Sequence, residues 1–269
     1  MNSQDLVAWK CFVILAGRGG IGKTLVAMLL TLALLLRNRT PAIVEADLQK
    51  RLHLLFPDLV TTIDIDQLDA LAEDPLALAR AFSAIPKAVR DAAAKKTDVI
   101  VDTAATWHQP IIKYSAEIRL TEKVAELGGK LVFLVPVTAD TDAILLAIDT
   151  AEKIEQLLPQ AELIFVINEH PHAVVFDIAA VNSIHGADKV KRLLSDHRQV
   201  RLREIPQKIW GNFERANMSV LDVSSADPND LIEIARADVD TIELMQGRVA
   251  QWLNSFIAEM QPVLQFRND

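Results

Sequence analysis

The chain has 269 residues, is 51% hydrophobic and 24% charged, and carries a formal net charge of −8. This composition supplies a sizeable core and argues against a protein that coats itself in nucleic acid. One cysteine, Cys11, excludes a disulfide framework and a thiolate metal site, which fits a reducing cytoplasm, the expected location.

The opening segment MNSQDLVAWK has no basic region followed by an apolar core, so no signal peptide is expected. CFVILAG (Cys11–Gly17) reads as a buried strand, and a glycine-rich loop follows at once. Thr24 to Arg37 is a nearly all-apolar helix; its uncharged run from Leu25 to Leu36 falls short of the roughly 20 residues that span a bilayer. PAIVEAD (Pro41–Asp47) is a second strand ending on a carboxylate. Gln67 to Lys95 has a helical pattern interrupted near Asp74-Pro75 and Pro86, and DVIVDTA (Asp98–Ala104) is a third buried strand containing Asp102.

His108 to Leu127 reads as one helix closed by Gly128-Gly129. KLVFLVPV and ELIFVIN are two more buried strands around a helix from about Asp140 to Leu157. A helix near Ala187 to Leu194 leads to a short strand around Arg201 to Pro206, and helical patterns fill Pro228 to Leu264. Strand-length apolar runs alternating with helices predict an α/β three-layer sandwich with a mostly parallel sheet. Without a repeat or a Gly/Ser/Pro-rich linker, one domain is expected over 1–269, with C-terminal helices 228–265 packed on it.

Four of the nine glycines, Gly17, Gly19, Gly20 and Gly22, crowd the loop after the first strand. The stretch from Gly17 to Thr24, GRGGIGKT, satisfies the phosphate-loop pattern G-x-x-x-x-G-K-[ST] between a strand and a helix. Glycines let successive backbone N–H groups line a concave anion site, and the helix N-terminus adds partial positive charge. Lys23 would reach the β- and γ-phosphates of ATP, and the Thr24 hydroxyl is a hard ligand for Mg²⁺. Gly17, Gly19, Gly20, Ile21, Gly22, Lys23, Thr24 and Leu25 are the expected cofactor-binding turn. Asp47 and Asp102 end parallel strands, where ligands gather in open α/β sheets. One would orient the attacking water and the other hold the metal through its water shell; a helix-cap or turn role is the competing reading for each.

GRGGIGKT resembles the deviant Walker A motif K-G-G-x-G-K-[ST] of the ParA/MinD family of P-loop ATPases. ADLQ resembles the family's D-x-Q element, VIVDTAAT its Walker B strand, and Asn168 in FVINE its adenine-contacting asparagine. Pro206, in IPQKIWGNFERANMSV, resembles the family's proline beside the base. The resemblance runs from about Lys10 to Val220. It implies the P-loop NTPase fold and an ATP-bound homodimer facing across its nucleotides. It also implies a catalytic set of Lys23, Asp47 and Arg18, with Thr24 and, through water, Asp102 at Mg²⁺. Arg18 stands where the family's first lysine reaches into the partner's phosphate site. Arginine keeps that charge and adds a planar fork, so an arginine finger supplied in trans is one reading and a solvated arginine is the other.

The same resemblance implies a cytoplasmic ATPase switch that positions DNA or a DNA-handling complex, in plasmid partition or conjugative transfer, with slow hydrolysis stimulated by a protein partner. Ala187 to Lys208 holds seven Lys/Arg against three Asp/Glu, and 189–203 is the candidate for non-specific DNA contact, with a solvated helix and edge strand as the competing reading. Leu221 to Met245 holds seven acids against one arginine. The stripe of Val249, Trp252, Leu253, Phe256, Ile257, Met260 and Leu264 lacks the basic flank that anionic lipid requires, so core packing or a partner-helix contact is expected and membrane association is not. His170-Pro171-His172 lacks further ligands and reads as surface loop. The lone Cys11 sets aside the cluster-binding iron proteins of the superfamily. The absence of a helix-turn-helix ahead of the first strand sets aside operator binding. Three alternatives stay open: a metabolic P-loop enzyme phosphorylating a small carboxylate, a MinD-like membrane-associated ATPase, and a scaffold that binds ATP and barely hydrolyses it.

Overall fold

The computed structural model describes residues 7–47, 49–63, 75–169, 187–205 and 207–266. Seven strands form one sheet: β1 (Trp9–Ile14), β2 (Ala42–Ala46), β3 (Val60–Thr62), β4 (Val99–Thr103), β5 (Gly129–Val137), β6 (Glu162–Asn168) and β7 (Arg198–Leu202). Their order is β3-β2-β4-β1-β5-β6-β7, and every neighbouring pair is parallel. The central strands are apolar on both faces, which a parallel sheet covered twice requires.

Alternation along each strand divides the core. Val13, Val44, Val101, Phe133 and Phe165 face one cluster. It is completed by α4 (Ala84–Lys95), α5 (His108–Glu117), α6 (Leu120–Glu126), α7 (Thr141–Leu157) and α8 (Ala187–Asp196). Ile14, Ile43, Ile100, Leu134 and Val166 face the other cluster. There they meet α1 (Lys23–Leu35), α2 (Arg51–Leu55), α9 (Gln207–Arg215), α10 (Val220–Ser225), α11 (Pro228–Ala235) and α12 (Val239–Met260). Helix α3 (Pro75–Ala81) precedes α4. The apolar run after the glycine loop is explained by α1, which lies between the sheet and α12 and is buried nearly all round.

Trp9, 1% exposed, lies on Gly129 at the start of β5; a Cβ there would sit 2.5 Å from the indole. The glycine is therefore fixed by packing as much as by its turn. The stripe on α12 is core: Val249, Trp252, Leu253, Phe256 and Met260 are buried against β7, α1, α10 and α11, and Leu264 is buried just beyond. No helix among the described residues is long and apolar enough to cross a membrane. The acidic run beside α12 also has a local cause. Asp222 closes a capping box with Ser219, and Asp227 and Asp238 cap α11 and α12. Asp230 and Asp240 sit in first turns, where the helix dipole favours them.

Several boundaries differ from the sequence expectation. His108 to Leu127 is two helices, broken at Ile118–Arg119 where Arg119 turns left-handed at φ 53. Pro86 lies in the first turn of α4, where its missing N–H is tolerated, and the break falls at Phe82–Ser83 instead. The expected strand near Arg201–Pro206 begins earlier, at Arg198, where pairing with β6 starts, and its alternating Val200 and Leu202 are buried in the core on the α1 side of the sheet. The pattern from Pro228 divides into α11 and α12. β3, α2, α9 and α10 were not foreseen.

Candidate nucleotide site

β1 ends at the centre of the sheet, next to the point where the chain crosses from β4 to β5 on its other side. The ends of β1, β2, β4 and β6 thus meet at one end of the sheet, the usual place for a ligand in this architecture. The glycine loop is shaped by its neighbours. Gly20 and Gly22 take φ of 74 and 92, a region that favours glycine. Asn168, at the end of β6 and 4% exposed, donates from Nδ2 to the Ile21 carbonyl at 3.0 Å. A Cβ on Gly22 would lie 2.7 Å from that nitrogen. Ile21 is buried with Ala16 and Ala143, which fixes the loop from below. Helix α1 starts at Lys23 with no side-chain cap and no acid in its first turn, leaving its positive end to the loop.

Lys23 is 7% exposed, and its ammonium donates to the Arg18 carbonyl at 2.9 Å. Burial lowers its pKa, while Asp102 and Asp47 oppose the shift. Asp102, on β4, is fully buried, and neither carboxylate oxygen accepts a hydrogen bond of adequate geometry. Burial pushes its pKa up to about 7; the nearby Thr24 hydroxyl and Lys23 pull it down, while Asp47 and Glu45 add to the rise. Asp47 follows β2 and is half-buried, and its Oδ1 accepts the Gln49 amide at 2.9 Å. Among the described residues no three His, Cys, Asp or Glu side chains cluster as an all-protein metal cage. Mg²⁺ needs no such cage, since it keeps waters and takes phosphate oxygens. The orphaned oxygens of Asp102 beside Thr24 fit this ion.

A cavity of about 430 Å³ opens at this end of the sheet. Of the residues singled out in the sequence, Gly19, Gly20, Gly22, Lys23, Thr24, Leu25, Asp47 and Asn168 line it. Asp102 lies buried behind it, and Gly17 packs under His108. The expected base-side Pro206 and the His170–His172 loop lie outside the described residues.

Four further contributors were not foreseen. Arg51 and Glu214 line the cavity and pair with each other across it. Glu45, fully buried on β2, accepts the Leu52 and His53 amides of α2. His108 hydrogen-bonds the Ala105 carbonyl through Nδ1 at 2.6 Å and leaves Nε2 buried without a partner; burial holds its pKa down. Glu45 carried a readable signal, a charged residue inside an otherwise apolar strand.

Arg18 is partly exposed, with its side chain held by acids at the start of α7. It pairs with Asp140, the N-cap of α7, and lies 3.6 Å from Asp142. Three of the six Lys/Arg of the basic segment 189–203 pair with acids of α7 and its neighbours. Lys189 pairs with Glu152, Arg192 with Glu155 and Asp196, and Arg201 with Glu169. Lys191, Arg198 and Arg203 are exposed and have no ion pair among the described residues.

A scan against protein-family models finds no match. The chain is 26% identical over 165 residues to Protein TraL of Escherichia coli, a match spanning 61% of this chain and 64% of TraL, less than two thirds of that protein. Apo McdA from Cyanothece superposes with a TM-score of 0.51 at 14% identity, covering 87% of this chain and 99% of McdA. The septum site-determining protein MinD from Pyrococcus horikoshii, complexed with Mg-ADP, gives a TM-score of 0.51 at 14% identity, covering 95% and 97%. At this identity the likeness is one of fold: the chain is built on the parallel-sheet P-loop fold of the MinD/ParA type.

Proposed function

We propose that the chain is a single-domain ATPase switch of the ParA/MinD type. It binds Mg-ATP, dimerises on it, and hydrolyses it slowly under the control of a protein partner. The observation that carries this reading is the buried, unpartnered carboxylate of Asp102 behind Thr24 and Lys23, with Asp47 across the same cavity. Mg²⁺, when bound, would supply positive charge that offsets the phosphate charge. Thr24 and Asp102 would hold the ion, Asp102 through water. Lys23 would exchange the Arg18 carbonyl for phosphate oxygens, and the glycine-loop N–H groups would cradle the rest. Asp47 would accept a hydrogen bond from the attacking water and orient it. Arg18 would reach the partner's nucleotide only after leaving Asp140 and Asp142.

The cycle would position DNA or a DNA-handling complex, in plasmid partition or conjugative transfer. Direct duplex contact would fall to Lys191, Arg198 and Arg203, since acids hold the other cations of 189–203.

Lys23→Ala and Asp47→Ala separate the two roles. Lys23→Ala should abolish ATP binding, because it removes the ground-state phosphate contact. Asp47→Ala should bind ATP like wild type and accumulate the ATP-bound state. Equal loss of affinity in both variants, measured by calorimetry, would remove Asp47 from the water-orienting role.

A further inference from the structure

Glu45 is a carboxylate with no exposed surface, set in a strand whose other members are apolar. Such a group is costly to bury unless hydrogen bonds satisfy its oxygens. No cation pairs with it among the described residues. Both oxygens are instead used by backbone: Oε1 accepts the Leu52 amide at 2.7 Å and Oε2 the His53 amide at 3.1 Å. These donors belong to the first turn of α2, a helix of five residues that is too short to hold itself together.

Between Glu45 and α2 runs the turn that carries Asp47. It is tight: Asp47 Oδ1 accepts the Gln49 amide at 2.9 Å, the Asp47 carbonyl accepts the Lys50 amide at 3.3 Å, and Lys50 takes φ 47. Beyond the turn, the buried side chain of Leu52 enters the core cluster on the α1 side of the sheet. The turn therefore leaves β2 at Glu45 and is pulled back onto the same carboxylate by the Leu52 and His53 amides. Neither oxygen touches the cavity wall, and Glu45 is absent from the cavity lining.

We infer that Glu45 is a positioning residue for Asp47: its carboxylate closes the Asp47–Lys50 turn by gripping the start of α2, and so fixes where the Asp47 side chain enters the nucleotide cavity. The inference rests on the reading of Asp47 as the residue that orients water. Ground-state phosphate contacts come from the glycine loop, which the grip does not touch. Loosening it should slow turnover and leave nucleotide affinity in place.

The test uses Glu45→Gln in the full chain. Glutamine keeps the volume, but its NH₂ faces one of the two amides, so one hydrogen bond is lost. Single-turnover hydrolysis should fall at least tenfold while the dissociation constant for ATP changes less than twofold. Amide exchange at Leu52 and His53 should quicken while the glycine-loop amides stay as they are. Unchanged turnover would overturn the inference, and so would equal losses in affinity and turnover, which mark a merely structural role. Asp47→Ala run alongside separates the two failures: if it turns over like wild type, the reading of Asp47 fails first. If Glu45→Gln does not fold, the wild-type exchange pattern decides. Protection of the Leu52 and His53 amides supports the grip, and solvent-like exchange overturns it.

Discussion

Gly22→Ala tests the shape of the glycine loop through two separable penalties. At φ 92 and ψ 24 an alanine sits in the left-handed region, at about 1–2 kcal/mol. Its methyl would also lie 2.7 Å from Asn168 Nδ2, so the buried amide must move off the Ile21 carbonyl. Losing that hydrogen bond adds about 0.5–1.5 kcal/mol. The sum is about 1.5–3.5 kcal/mol, which for a chain of this size lowers the melting temperature by about 3–14 °C. Gly19→Ala is the control, because nothing lies within 4 Å of its added Cβ and its φ is not left-handed. Calorimetric melts of both variants, with ATP titrations, measure the difference. In an Asn168→Ala background the clash is gone, so Gly22→Ala should cost less there than in wild type. If Gly22→Ala melts within about 2 °C of Gly19→Ala, the account of the loop as held by Asn168 is wrong.

Other outcomes follow from the charges. Asp102 is protonated more readily folded than unfolded, its pKa rising from 3.8 to about 7, so metal-free stability should fall as pH rises from about 4 to about 7. Asp102→Asn should flatten that slope, gain up to about 4 kcal/mol at pH 8 without metal, and lose Mg²⁺-dependent ATP binding; denaturant melts across pH measure it, and an unchanged slope would refute the burial argument. Arg18→Ala should keep monomer ATP affinity but lose ATP-dependent dimerisation and turnover together, with Arg18→Lys retaining part of both; wild-type light scattering from Arg18→Ala would end the cross-subunit reading. Changing Lys191, Arg198 and Arg203 to Gln should reduce the salt slope of duplex binding by about 2–3. An equal effect from Lys189 and Arg192 would mean that their ion pairs open on DNA.

The glycine loop, Lys23, Thr24 and the strand-end aspartates were readable in the sequence because each is local: a fixed spacing beside a strand and before a helix. The parallel sheet was readable for a similar reason, since strands buried on both faces need continuous apolar runs. Long-range partners were not. Nothing in the spacing of Arg18 and Asp140, 122 residues apart, announces their contact. The same holds for Arg51 and Glu214, or for the acids of α7 that pair with Lys189 and Arg192. The short elements β3 and α2 escaped because their order comes from neighbours, β3 from pairing with β2 and α2 from Glu45. The break at Arg119 escaped because a non-glycine residue takes the left-handed turn.

The central claim is that nucleotide state sets association. Sedimentation velocity of the wild-type chain with Mg²⁺ and a slowly hydrolysed ATP analogue, compared with Mg-ADP, tests it most directly. Dimer is expected with the analogue and monomer with ADP, the dimer vanishing in Lys23→Ala. The same sedimentation coefficient in both nucleotides, with nucleotide bound in each, would contradict it.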